Sequence, residues 1–122
     1  MTKKILVADD DPSIADLLTQ SLKEEGYDVA KTTQSLRFFD AVRENHPDLI
    51  LLDLLMPYLD GEDELRLMKL QPETANIPVI VVTAKPDVMD EAQQLYSLGV
   101  RHIVKKPFDL GNLLKLIEEA IA

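Results

Sequence analysis

Leu49-Ile50-Leu51-Leu52-Asp53-Leu54-Leu55-Met56-Pro57 is the stretch that decides the fold. Four aliphatic residues run into one carboxylate, and a Pro-containing turn follows. An apolar run this short, bounded by turn signals, reads as a strand covered on both faces, spanning residues 48–53. Asp53 stands where that strand ends. A carboxylate there is costly unless it sits at an opening with charged partners. The plainer alternative is a capping or loop aspartate after a core strand.

Working outward, residues 5–8 (Ile-Leu-Val-Ala) form a second short apolar run, ending in Asp9-Asp10-Asp11 and Pro12. Asp11 followed by Pro12 fits an N-cap and first helical residue. Ile14, Leu17, Leu18 and Leu22 then share one helical face, and Gly26 stops the helix. Residues 27–30 predict a short strand. Residues 35–44 predict a helix with Leu36, Phe39 and Val42 inward and Phe38 at the surface; His46-Pro47 breaks it. Asp60-Gly61 is a turn signal. A helix follows over about 62–70, with Leu65 and Met68 inward, and residues 71–76 are loop. Strands are predicted at 77–82 and 100–104, with a helix over 88–98, stopped by Gly99, between them. Leu110, Leu113, Leu114, Ile117 and Ile121 give a last helix one apolar face.

Strand and helix thus alternate five times. Each strand-to-strand connection has room for a helix, so neighbouring strands should be parallel. The expected fold class is α/β, a three-layer, doubly wound, five-stranded parallel sheet with five helices. At 122 residues and 46% hydrophobic content the chain suits one domain, residues 1–122, with a real core. A net charge of -9 argues against a nucleic-acid surface. The absence of Cys excludes disulfides and thiolate chemistry. Four apolar residues after Lys3-Lys4 are too few for a signal peptide, and no apolar run reaches membrane-spanning length. The expectation is a cytoplasmic protein without a membrane partner.

Polar residues interrupt the apolar pattern at the C-terminal ends of four strands: Asp9-Asp10, Asp53, Thr83 and Lys105-Lys106. In a parallel sheet those ends lie along one edge, where open α/β sheets bind ligands. Three close carboxylates repel one another, and a hard divalent cation relieves this. Thr83 can donate to a phosphoryl oxygen, and a Lys ammonium can neutralise part of its charge. A carboxylate in such a pocket can also act as a nucleophile toward phosphorus.

Asp9-Asp10, Asp53 with Met56-Pro57 and Gly61, Thr83-Ala84, and Lys106-Pro107-Phe108 resemble the receiver domain of two-component response regulators, in order and over the whole chain. The resemblance implies the flavodoxin-like strand order 2-1-3-4-5. It implies that Asp53 accepts a phosphoryl group from the phosphohistidine of a sensor histidine kinase or a phosphotransfer protein. It further implies that Asp10, Asp53 and the backbone carbonyl of Leu55 ligate Mg²⁺ (or Mn²⁺), with Asp9 reaching it through water. Thr83 and Ala84 would bind the phosphoryl group. Lys106, directly before Pro107, would stand over the site through a cis Lys106-Pro107 bond, leaving Lys105 as a solvated charge. Output would pass to an effector or output domain through the face made by the fourth helix, fifth strand and fifth helix, where Met89 and Tyr96 are surface or core candidates. The switch would catalyse only its own phosphorylation and dephosphorylation.

The sequence departs from that pattern at Ile103, where the family usually carries an aromatic residue three before the Lys. His102 next to it falls on the opposite strand face. Leu55 and Lys85, two residues after Asp53 and Thr83, offer nothing to position a hydrolytic water, which implies a slowly lost phosphate. His46 reads as a loop residue, Glu118-Glu119 as a solvated face, and Glu62-Asp63-Glu64 as acids favoured by a helix N-terminus. A Mg²⁺-dependent phosphohydrolase would need an acid where Leu55 stands. A partner-binding pseudo-receiver would lack some of the acid pair, the Asp or the Lys, and all are present.

Overall fold

The computed structural model describes residues 2–122. The elements are β1 (Lys4–Ala8), α1 (Pro12–Glu24), β2 (Asp28–Thr32), α2 (Phe38–Asn45), β3 (Leu49–Leu52), α3 (Gly61–Leu70), β4 (Val79–Thr83), α4 (Ala92–Ser97), β5 (Val100–Lys105) and α5 (Leu110–Ile121), with 3₁₀ turns at Ser35–Arg37 and Val88–Glu91. All five strands are parallel, in the order β2-β1-β3-β4-β5.

Strand alternation divides the sheet's side chains into two cores. Leu6, Ala8, Ile50, Leu52, Val79 and Val81 pack with Phe38, Val42, Leu65, Met68 and Leu95, the α2, α3 and α4 side. Ile5, Val7, Leu49, Leu51, Ile80 and Val82 pack with Ala15, Leu18, Leu22, Leu113 and Ile117 of α1 and α5. Helices on both faces explain why β1, β3 and β4 are unbroken apolar runs. Along these three strands polar groups enter only at the ends, so the sheet delivers them to its edges.

Capping sets the local boundaries. The Asp11 side chain accepts from the Ser13 amide, with Pro12 at the first helical position. Gly26, at φ 95, takes the left-handed turn that ends α1. Asp60 caps α3 by accepting from Asp63 N–H at 3.2 Å, ahead of Glu62, Asp63 and Glu64 in the first turn. Gly61 lets the Leu54 side chain pack closely on the start of α3: a Cβ there would lie 2.4 Å from Leu54 Cδ2, and the leucine would have to shift.

Several expectations are corrected. The 35–44 segment opens as a 3₁₀ turn, held by a hydrogen bond from Ser35 Oγ to the Pro57 carbonyl. A 3₁₀ turn advances more per residue than an α-helix, so the inward face rotates. Phe38, expected at the surface, is fully buried at 0% exposure, and Leu36, expected inward, is 81% exposed. On α1, Ala15 takes the buried position and Leu17 faces out. β2 starts after the expected point because the Tyr27 amide closes the α1 terminus on Leu22. β4 starts at Val79, since Ile77 N–H bonds Thr74 and Pro78 has no N–H to give. The 88–98 helix divides into a 3₁₀ turn and a short α4. Met89 and Tyr96 are exposed rather than core.

Phe38→Ala should destabilise the domain by about 3–5 kcal/mol, and Leu36→Ala by less than about 0.5 kcal/mol. Urea unfolding of the two variants checks this, and comparable losses would contradict the rotated face.

Candidate functional site

The site grows from the C-terminal ends of β1, β3, β4 and β5. Ala8 and Leu52 are register partners, so the residues that follow them are neighbours; the Asp53 amide donates to the Ala8 carbonyl at 3.0 Å. Thr83 and Lys105 are partners across β4 and β5, and the Lys106 amide donates to the Thr83 carbonyl at 2.9 Å. The Lys106-Pro107 peptide bond is cis.

Asp9, Asp53 and Thr83 are buried, and Asp10 is exposed at the rim. One carboxylate oxygen from each of Asp9, Asp10 and Asp53 lies within 4.8 Å of the others. Lys106 Nζ spans two of them, at 2.6 Å from Asp9 Oδ2 and 2.9 Å from Asp53 Oδ2. Asp53 Oδ1 accepts from Thr83 Oγ1 at 2.7 Å and from the Leu55 amide at 2.9 Å. Asp9 Oδ1 accepts from the Asp11 amide at 3.0 Å. Thr83 Oγ1 in turn accepts from the Lys85 amide at 3.1 Å.

Burial raises the Asp9 pKa, and this outweighs the hydrogen bond and charge of Lys106, which lower it. Burial also acts to lower the Lys106 pKa, but its hydrogen bonds to Asp9 and Asp53 and their charges reverse the sign, and the ammonium is held above its ordinary range. One cation therefore serves two buried carboxylates, and Asp10 adds a third charge that Lys106 does not contact.

The structure brings Asp9, Asp10, Asp53, Thr83 and Lys106 together at one edge, with Ala84 and Leu55 in the adjoining loops. Lys105 is exposed. Ile103 is half-buried against the α2, α3 and α4 core. Val79 pairs with Val100 and Ile80 with His102, so Arg101 is an extra residue that resets strand alternation. His102 consequently lies across the sheet from Ile103, on the side of Val104. His46 ends α2 in a left-handed conformation, outside the site. Three contacts escape sequence reasoning: the Asp11 amide on Asp9, the Leu55 amide on Asp53, and the Lys85 amide on Thr83. Backbone donors carry no residue-type signal, so nothing in the sequence marks them.

Residues 5–118 match the family model described as the response regulator receiver domain. The chain belongs to that family. It is 42% identical over 114 residues to the DNA-binding response regulator MtrA of Mycolicibacterium smegmatis, covering 93% of this chain and 48% of that protein. It is 36% identical over 111 residues to the DNA-binding dual master transcriptional regulator RpaA of Synechocystis, covering 91% and 46%. The chain thus spans about half the length of the curated relatives it matches. Among solved structures, the Francisella response regulator 1452 receiver domain superposes with a TM-score of 0.85 at 28% identity, covering 98% and 97% of the two chains. A CheY-like receiver domain protein from Methanospirillum hungatei gives 0.86 at 28% identity, covering 99% and 94%. This response regulator receiver domain is therefore a signalling component of a two-component system, with the flavodoxin-like order of its relatives. Among the described residues no helix is long and apolar enough to cross a membrane.

Lys106→Met should destabilise the receiver domain by roughly 1–3 kcal/mol near neutral pH, because two buried carboxylates lose their shared cation. The sign with pH follows from the two shifts. The raised Lys106 pKa contributes stability below the unfolded value and loses it as pH rises through the folded one. The raised Asp9 pKa means that the folded state binds its proton more tightly, so the variant's deficit shrinks as pH falls through that pKa. Urea unfolding at acidic, neutral and alkaline pH measures both; a deficit that grows on acidification would contradict the pairing.

Proposed function

We propose that this receiver domain is a phosphorylation-controlled switch in which Asp53 accepts a phosphoryl group from a phosphohistidine. The observation that carries the reading is the placement of Asp53. One of its oxygens meets an ammonium and the other a hydroxyl, beside two more carboxylates.

The donor set fits a hard divalent cation, since the three clustered ligands are carboxylate oxygens. Asp10, exposed and outside the reach of Lys106, is free to turn to a metal. Asp10, Asp53 and the Leu55 carbonyl would hold Mg²⁺ or Mn²⁺, with Asp9 acting through water. When bound, the ion supplies positive charge to the carboxylates and to the phosphoryl oxygens.

The chain's own groups account for the transfer. An Asp53 carboxylate oxygen attacks phosphorus, a new P–O bond forms, and the P–N bond of the phosphohistidine breaks, leaving the imidazole with the electron pair. Lys106 moves from carboxylate to phosphoryl oxygen with little displacement, because it already touches Asp53. The Thr83 hydroxyl and the Ala84 amide donate to the remaining oxygens. These groups are held in place before the reaction, so little reorganisation is needed.

Leu55 is half-exposed at the mouth and carries no acid or amide to orient water, and the Lys85 ammonium is taken by Glu91. The aspartyl phosphate is therefore lost slowly. The same absence of an acid at Leu55 disfavours a turning-over phosphohydrolase. The donor partner is a sensor histidine kinase or phosphotransfer protein of the cytoplasm. The names of the double-length relatives support a DNA-binding output domain; that domain or a separate effector is reached through the α4-β5-α5 face.

Mass spectrometry after treatment with acetyl phosphate and Mg²⁺ should find one phosphoryl adduct on the wild type and none on Asp53→Asn, with the adduct persisting for minutes. An adduct retained in the variant would overturn the assignment. Loss within seconds would overturn the slow-hydrolysis reading alone, and continuous release of phosphate from esters would favour the hydrolase.

A further inference from the structure

Thr83 is oriented from two directions. Its hydroxyl donates to Asp53 Oδ1 at 2.7 Å and accepts the Lys85 amide at 3.1 Å. The second contact fixes the hydroxyl's lone pair, and so its proton points at Asp53. The Lys85 amide must itself be held, and it belongs to a loop outside the sheet ladder. Asp87, two residues on, is in the left-handed region at φ 57, a conformation that costs energy for a non-glycine residue. The loop runs into the 3₁₀ turn Val88–Glu91 and the six-residue α4, elements too short to be stable by themselves.

What ties that segment back is the Lys85 side chain. Its Nζ lies 3.0 Å from Glu91 Oε1 and 2.8 Å from Oε2, so it holds both oxygens of the carboxylate. The two side chains are 35% and 31% exposed. They wall a cavity of about 370 Å³ that is also lined by Leu54 and Leu59 of the β3–α3 connection and by Gly61 of α3. Gln94 Nε2 donates to Glu62 Oε2, another residue lining that cavity, at 3.0 Å, a separate link between α4 and α3.

We propose that Glu91 is a positioning residue: through its ion pair with Lys85 it holds the Lys85 amide on Thr83, and so aims the Thr83 hydroxyl at Asp53. Glu91 touches none of the reacting groups. Its position at the junction of the 3₁₀ turn and α4 makes the coupling two-way. Whatever moves this junction loosens Thr83, and whatever fixes Thr83 on a phosphoryl oxygen fixes this junction. This role rests on the reading of Asp53 as phosphoacceptor for its functional consequence, but not for its structural content.

The test uses the metal-free protein first. In Glu91→Gln, hydrogen exchange at the Lys85 amide should accelerate roughly two- to fivefold, the range that a partly exposed ion pair supports. Lys85→Arg should keep the wild-type rate. Gln94→Leu, which cuts only the separate link to Glu62, should leave the Lys85 amide unchanged. With acetyl phosphate and Mg²⁺, Glu91→Gln should slow adduct formation by a similar factor, and Lys85→Gln with Glu91→Gln should cost no more than either change alone. In a Thr83→Ala background Glu91→Gln should have no further effect on labelling. Unchanged Lys85 exchange in Glu91→Gln, equal acceleration in Gln94→Leu, or additive losses in the double variant would each overturn the positioning role. A wild type that takes up no phosphoryl group would instead overturn the proposed function, and the exchange measurements would still decide the role of Glu91.

Discussion

One ammonium between two buried carboxylates is the constraint on which the rest of the site depends. Lys106 bridges Asp9 and Asp53, and no second cation contacts them among the described residues. Burial opposes the charges that the pocket encloses, so the arrangement of Asp9, Asp53 and Lys106 survives only because their hydrogen bonds are short. It remains two positive charges short, since Asp10 brings a third carboxylate to the same edge and one ammonium faces all three. A pocket with excess negative charge and preset donors is prepared for a cation and for a group that Lys106 and Thr83 can share.

The fold serves this pocket by exclusion. Both faces of the central strands β1, β3 and β4 are filled by apolar side chains, which leaves their ends as the places for charge. β1 and β3 are adjacent, so their terminal aspartates fall side by side. β4 and β5 bring Thr83 and Lys106 from the other direction. The stiff centre of the molecule thus holds Asp9, Asp53, Thr83 and Lys106. The weakly structured part, the 3₁₀ turn and α4 after Thr83, is where a change at Asp53 can be passed outward. Ile103, packed on that same side, offers apolar contact alone.

Much of this was legible in the sequence because it rests on residue type and period. Leu49–Leu52 and the matching run of β1 announce doubly covered strands, and the acids, hydroxyl and lysine that follow them announce the edge. The receiver motifs then assign the order of strands, which periodicity alone does not. What escaped depends on geometry that residue type does not carry. Phe38 and Leu36 exchanged places because a 3₁₀ turn changes the angle per residue. Val79 replaced Ile77 as the start of β4 because a proline removed a ladder donor. The bulge at Arg101 and the amides of Asp11 and Lys85 are backbone features. Glu91 reads as one more acid on a helix until its carboxylate is seen on Lys85.

The central claim is that the three carboxylates are held in excess for a divalent cation, and thermal unfolding with and without millimolar Mg²⁺ tests it most directly. Binding to the folded state alone raises the midpoint by mass action. The account predicts a rise for the wild type. It predicts a higher starting midpoint and a much smaller rise for Asp10→Asn, which loses both the repulsion and a ligand. A wild-type midpoint indifferent to Mg²⁺, or an Asp10→Asn variant that responds as the wild type does, would contradict it.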